Sequence, residues 1–214
     1  VGRRPQTRSL EIGQPDTVTA RYELIDGSLT AGYISLRYGG QTSMEQVGGT
    51  VALSGGLSLG NTSTGGDPEN GTYALDGGSL TVPLCQVGRG GEFSHQAGVS
   101  DVENLKVYDQ GSYTFSGGEL NISDSLVSEG DFDFAASTAA LNVGADTLVD
   151  FRAGTLTGTQ NASMTVGADS IAMFPAGLDP AGDFGSYRND GVTYIAGQTL
   201  HIPAGMTVRA FGEI

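Results

Sequence analysis

Tyr73-Ala-Leu-Asp-Gly-Gly-Ser-Leu80 decides the fold, because it returns as Tyr113-Thr-Phe-Ser-Gly-Gly-Glu-Leu120 and, more loosely, as Tyr22-Glu-Leu-Ile-Asp-Gly-Ser-Leu29. Written as a large apolar residue followed seven positions later by another apolar one, weaker copies start at Met44, Phe93, Phe132 and Val149. The starts lie 22, 29, 20, 20, 19 and 17 residues apart. A period near 20 residues marks a solenoid, in which no unit buries enough surface alone and neighbours stabilise one another by stacking. The predicted architecture is an all-β, parallel β-solenoid with an irregular C-terminal segment.

Each coil can be numbered from its first apolar residue. Position 0 is then Tyr22, Met44, Tyr73, Phe93, Tyr113, Phe132 and Val149, and position +2 is Leu24, Gln46, Leu75, His95, Phe115, Phe134 and Phe151. Position +7 is Leu29, Val51, Leu80, Ser100, Leu120, Ala139 and Leu156; position +9 is Ala31, Leu53, Val82, Val102, Ile122, Leu141 and Gly158. Apolar residues two apart with polar ones between them are the signature of a strand with one face buried. Between the two strand pieces, positions +4 and +5 hold Asp26-Gly27, Gly48-Gly49, Gly77-Gly78, Ala97-Gly98, Gly117-Gly118, Ala136-Ser137 and Ala153-Gly154. Glycine there suits a tight corner.

A second phrase, Leu10-Glu-Ile-Gly13, Leu57-Ser-Leu-Gly60, Leu141-Asn-Val-Gly144 and Met164-Thr-Val-Gly167, reads as a third short strand and so as three faces per coil. At about 4.8 Å per coil, seven coils make a core roughly 30 Å long, and Phe115, Phe134 and Phe151 would form one column. The repeat array covers residues 1–167. In 168–214, Asp179-Pro180 has the look of a helix start, with Asp as N-cap and Pro at the first helical position. Val192-Thr-Tyr-Ile-Ala-Gly-Gln-Thr-Leu-His-Ile-Pro203 then returns to strand-like text, as one or two closing coils of the same domain. Neither end shows an obvious polar cap, and uncapped solenoid ends invite pairing with another copy.

Ten basic residues face 24 acidic ones, for a net charge of −14, and Lys106 is the only lysine. Without a basic patch to displace counterions, nucleic acid is not an expected partner. No apolar run of 18 residues offers a membrane span. Cys85, the single cysteine, excludes an internal disulfide. The chain opens on Val1 with neither Met nor signal peptide, which reads as a mature or excised piece.

Gly71-Thr-Tyr-Ala-Leu-Asp-Gly-Gly-Ser-Leu80 and Gly111-Ser-Tyr-Thr-Phe-Ser-Gly-Gly-Glu-Leu120 resemble repeats of large secreted bacterial proteins of the autotransporter-like and planctomycete type. The stretch from Phe174 to Tyr187, and Thr199-Leu-His-Ile-Pro-Ala-Gly205 after it, looks like a segment that follows such repeats. The resemblance spans about residues 10 to 214. It implies an extracellular, right-handed β-helix-like array with a surface or matrix role, and it brings no catalytic residues.

Acidic ladders are the best chemical lead. Position +1 faces outward, so Glu23 would sit above Glu45 and Asp133 above Asp150, one strand spacing apart. Carboxylates that close repel, and a cation between them relieves the repulsion. With Glu129 and Asp131 on the same outward parity, Asp131, Asp133 and Asp150 form a calcium candidate, the only cofactor the sequence suggests. The plain alternative is a solvated acidic face. The same carboxylates have the chemistry of a glycosidase acid/base pair, which nothing in the composition selects.

His95 fills an inward slot and reads as a structural histidine stacked near Phe115. His201 and Cys85 have no metal or catalytic spacing around them. Gly88-Arg-Gly-Gly91 matches a phosphate loop only in glycine content. Sequons begin at Asn61, Asn70, Asn121 and Asn161. The expectation is therefore a secreted, non-enzymatic structural subunit of a surface layer, matrix or filament whose partners are other copies of itself, head to tail. The alternatives are an adhesin or tail-fibre-like shaft that grips cell-surface glycans, and a β-helix polysaccharide-degrading enzyme.

Overall fold

The computed structural model describes residues 9–12, 19–37, 40–63, 66–135, 138–200 and 202. The first coils run β1 (Ser9–Ile12), β2 (Ala20–Leu24), β3 (Ser28–Leu36), β4 (Thr42–Gln46) and β5 (Thr50–Leu59). The middle coils run β6 (Gly71–Leu75), β7 (Ser79–Val87), β8 (Gly91–His95), β9 (Val99–Val107), β10 (Ser112–Phe115) and β11 (Gly117–Ser128). The last coils break into β12 (Asp131–Asp133), β13 (Thr138–Val143), β14 (Leu148–Asp150), β15 (Thr155–Thr157), β16 (Ser163–Val166) and β17 (Ile171–Phe174). Helix α1 (Pro180–Asp183), β18 (Ser186–Asn189) and β19 (Val192–Ile195) follow. The strands alternate between a narrow wall, β15-β12-β10-β8-β6-β4-β2, and a broad wall of 12 strands. Strand-to-strand ladders run parallel, and the chain is a β-solenoid of about eight turns.

Backbone pairing stacks Tyr22, Met44, Tyr73, Phe93, Tyr113 and Phe132 in one column, as the repeat predicts. The next rung is Leu156 and not Val149. Val149 lies in the broad wall between Leu126 and Ala172. The cause is that Val149-Asp-Phe151 alternates just as Phe132-Asp-Phe134 does, and a period of two cannot say which wall a strand joins. Likewise Leu120 pairs with Leu141 and not with Ala139. A slip of two residues leaves the same face inward, so the burial pattern tolerates it.

The expected third face emerges only late in the chain. Leu10, Ile34, Leu57, Cys85, Leu105 and Leu126 share one broad-wall column. Leu141 and Met164 stand in another, above Tyr187. Through β11 both columns belong to one long strand, bent where the register slips between Ala31 and Tyr33, Ala52 and Leu57, and Ile122 and Ser125. Afterwards turns split the strand, and Asp146 and Asp169 there take left-handed angles of φ 56° and 57°. Asp tolerates that region better than most residues because its short polar side chain bonds locally.

The glycine corners hold through five coils. Gly27, Gly49, Gly78, Gly98 and Gly118 all have positive φ. A Cβ on Gly98 would lie 2.5 Å from the carbonyl oxygen of Gly78 in the coil before. Gly154 belongs elsewhere: it precedes β15 and packs beneath the Gly130 carbonyl. The Ala136-Ser137 corner, Gly13, His201 and the end of the tail lie outside the described residues.

The core is a column of rings. Tyr73, Phe93, Tyr113 and Phe132 stack with centroids 5.1, 4.7 and 4.9 Å apart and planes within 24°. Phe115 and Phe134 are neighbours at 6.0 Å, but Phe151 packs on Phe174 and edge-on to Phe132, outside the expected column. Beyond them, α1 begins as the sequence predicts: the Asp179 side chain accepts from the Ala181 N–H, and Pro180 takes the first turn. The helix delivers Phe184 edge-on against Phe134 and Phe174.

Candidate functional site

Two polar rungs cross the apolar interior. The Tyr73 hydroxyl donates to Gln46 Oε1 at 2.5 Å, and Gln46 Nε2 donates to the carbonyls of Ser79 and Gly49. The Tyr113 hydroxyl lies 3.2 Å from His95 Nδ1, and His95 Nε2 lies 3.4 Å from the Gly98 carbonyl. His95 also stacks on Phe115 at 4.7 Å, as expected of a structural histidine. A pairing rule follows. Where position 0 is Tyr, position +2 of the preceding coil is polar; where it is Met or Phe (Met44, Phe93, Phe132), that position is Leu24, Leu75 or Phe115. A buried hydroxyl without a partner is costly, so the two positions must change together. The pairing is legible in the sequence once position +2 is set against position 0 of the next coil.

Burial raises the pKa values of both hydroxyls above the ordinary tyrosine value. It pushes the Cys85 thiol up to about 12 and the His95 imidazole down to about 4, the latter despite backbone hydrogen bonds that favour the cation. A thiol held protonated is a poor nucleophile, and Cys85 serves as a small core residue.

On the outer faces, Glu23 and Glu45 stand in register as expected. Arg21 bridges them, in contact with Glu45 and 4.0 Å from Glu23. The three carboxylates of the calcium candidate lie on two different walls. Asp131 and Asp133 project from β12 in the narrow wall, where Thr157 donates to Asp133 at 2.7 Å. Asp150 lies on β14 in the broad wall, and Arg152 binds both its oxygens at 3.0 and 2.9 Å. The predicted ladder of Asp133 over Asp150 depended on the Val149 register and falls with it. Glu129 pairs with Lys106. Among the described residues, no three His, Cys, Asp or Glu side chains converge as a metal site would require.

Gly88-Arg-Gly-Gly91 is a docking turn. The backbone of Arg89 pairs with Asn61, and its guanidinium donates to the Gly66 carbonyl, which holds the excursion between β5 and β6. Of the sequons, Asn61 and Asn121 spend their amides on hydrogen bonds, the latter in a ladder from Asp101 to Asn142. Asn70 and Asn161 are exposed. An open depression of about 440 Å³ lies beside Asn161, lined also by Thr138, Gln160, Ser163 and Ser186. The outer face of the narrow wall carries hydroxyls in two columns: Ser43 and Thr72 in one, and Ser94 and Thr114 in the other, which continues through Asp133 to Thr157.

Compared with protein-family models, curated proteins and solved structures, the chain matches none. Among the described residues no helix is long and apolar enough to cross a membrane.

Proposed function

We propose that this chain is an extracellular structural subunit, a length of β-solenoid shaft that other copies extend end to end into a filament, surface layer or matrix. The observation that carries this reading is the state of the terminal rungs. Among the described residues, β1 and β2 at one end and β18 and β19 at the other are each paired on one edge only. An unpaired strand edge is a template for another chain. The column that starts at Leu10 in β1 ends at Thr193 in β19, so β19 of one copy set against β1 of the next would continue it. The narrow wall, among the described residues, likewise ends on strands paired on one edge only, β2 at one end and β15 at the other.

Sedimentation and negative-stain imaging over a range of concentrations test this reading. Rods that lengthen with concentration are expected, and more readily at high salt, because a net charge of −14 makes the copies repel. Compact monomers at every concentration and salt would overturn it. The hydroxyl rows of the narrow wall favour a second reading, a shaft that binds glycans, since hydroxyls donate to and accept from sugar hydroxyls alike. A glycan array probed with the monomeric form separates the two.

A further inference from the structure

Gln46–Tyr73 and His95–Tyr113 do the same structural work with different chemistry. Each satisfies one buried tyrosine hydroxyl from the coil before, and Gln46 and His95 are both 0% exposed. The amide has no proton to gain in the physiological range, whereas imidazole has. The surroundings fix which histidine nitrogen is protonated. Nε2 faces the Gly98 carbonyl, which can only accept, so Nε2 carries the hydrogen and Nδ1 accepts from Tyr113.

We propose that the His95–Tyr113 pair is an acid-sensitive latch: it joins the middle coils of the solenoid at neutral pH and releases them when Nδ1 takes up a proton. Protonation turns the acceptor into a donor, so the Tyr113 hydroxyl must swing its hydrogen away toward Ser100, and it places a cation in a largely apolar chamber. Phe93 on β8 and Phe115 on β10 pack against the ring. The titratable groups inside the chamber are Tyr113 and, from the broad wall, Cys85, which also faces Tyr73; burial keeps all three neutral. The charged side chains of the neighbouring strands, Glu92, Asp101, Glu103, Lys106, Glu119 and Asp124, sit at outward positions and offer the imidazolium no counter-ion.

Burial lowers the folded-state pKa to about 4, against 6.5 ordinarily. The latch therefore contributes fully above pH 6.5, weakens as pH falls, and is lost by about pH 4. It stands on the fold alone and holds whether or not copies stack end to end.

The test is the full chain against His95→Gln, which copies the Gln46 rung, with urea unfolding followed from pH 7.5 to 4.5. The folding equilibrium of the parent should fall on the order of 100-fold further than that of the variant. Parallel loss in the two proteins would overturn the latch. If the variant does not fold, the imidazole NMR titration of the parent decides, with His201→Asn assigning the signals. A ring titrating near pH 4 supports the latch, and one titrating near 6.5 refutes it.

Discussion

The coils up to β11 and the coils after it solve the same stacking problem in different ways. In the first group one long bent strand spans the broad wall, a glycine turns each corner, and the rings of Tyr73, Phe93 and Tyr113 lie nearly parallel. In the second group Asp146 and Asp169 break the strand in two, the rings of Phe151, Phe174 and Phe184 meet at steep angles or at longer range, and α1 delivers Phe184. Stability in the first group comes from repetition: each rung presents its neighbour with the shape it received. In the second it comes from particular contacts, and register is set by the lengths of the connections.

Mutations can break this contrast. The largest effect is expected from Phe132→Ala, where the ring column of the first group meets the edge-on cluster of the second. A buried Phe→Ala change costs about 3–5 kcal/mol, and here it should lower the midpoint of the whole urea transition. Phe184→Ala should instead free the last coils, seen as faster amide exchange confined to residues beyond β15.

Gly98→Ala comes next. It combines a left-handed φ of 84° with a Cβ 2.5 Å from the Gly78 carbonyl, and should lose at least about 2 kcal/mol. Gly177→Ala has φ 87° and open space, so strain alone acts and about 1 kcal/mol is expected. Equal losses at the two positions would mean that corners do not stack.

Tyr73→Phe should cost about 1–3 kcal/mol by leaving Gln46 unsatisfied, and adding Gln46→Leu should recover part of that loss. A double-mutant cycle with no coupling would remove the pairing rule. The smallest effect, under about 1 kcal/mol and screened by salt, is expected for Arg21→Ala between Glu23 and Glu45.

The sequence revealed most where residues repeat in kind. The Tyr-x-Leu/Phe-x-Gly-Gly phrase carries strand, corner and strand together, which is why the column from Tyr22 to Phe132 was legible. Asp179-Pro180 named its own helix through local capping chemistry. The sequence leaves the wall of Val149 open, because alternation reports a buried face and not which wall supplies it. Leu10 and Leu141 open near-identical phrases yet stand in different columns, since only connection length separates them. For the same reason Asp150 stands apart from Asp131 and Asp133, and Arg152, two residues from Asp150, is a local sign of the ion pair this carboxylate makes. The Gln46–Tyr73 and His95–Tyr113 pairs could have been found by comparing position +2 with the next coil's position 0.

Stacking in register is tested most directly by spin labels on one outer column. Thr30, Thr81, Asn121 and Thr165 lie on successive even rungs, with Ala52, Asp101 and Asn142 between them. Cysteine pairs from residue 30 to each of the others, in a Cys85→Ala background, should give distances that climb by about 10 Å per step to roughly 29 Å. Distances that fail to grow in equal steps would mean that the coils do not pile one on the next.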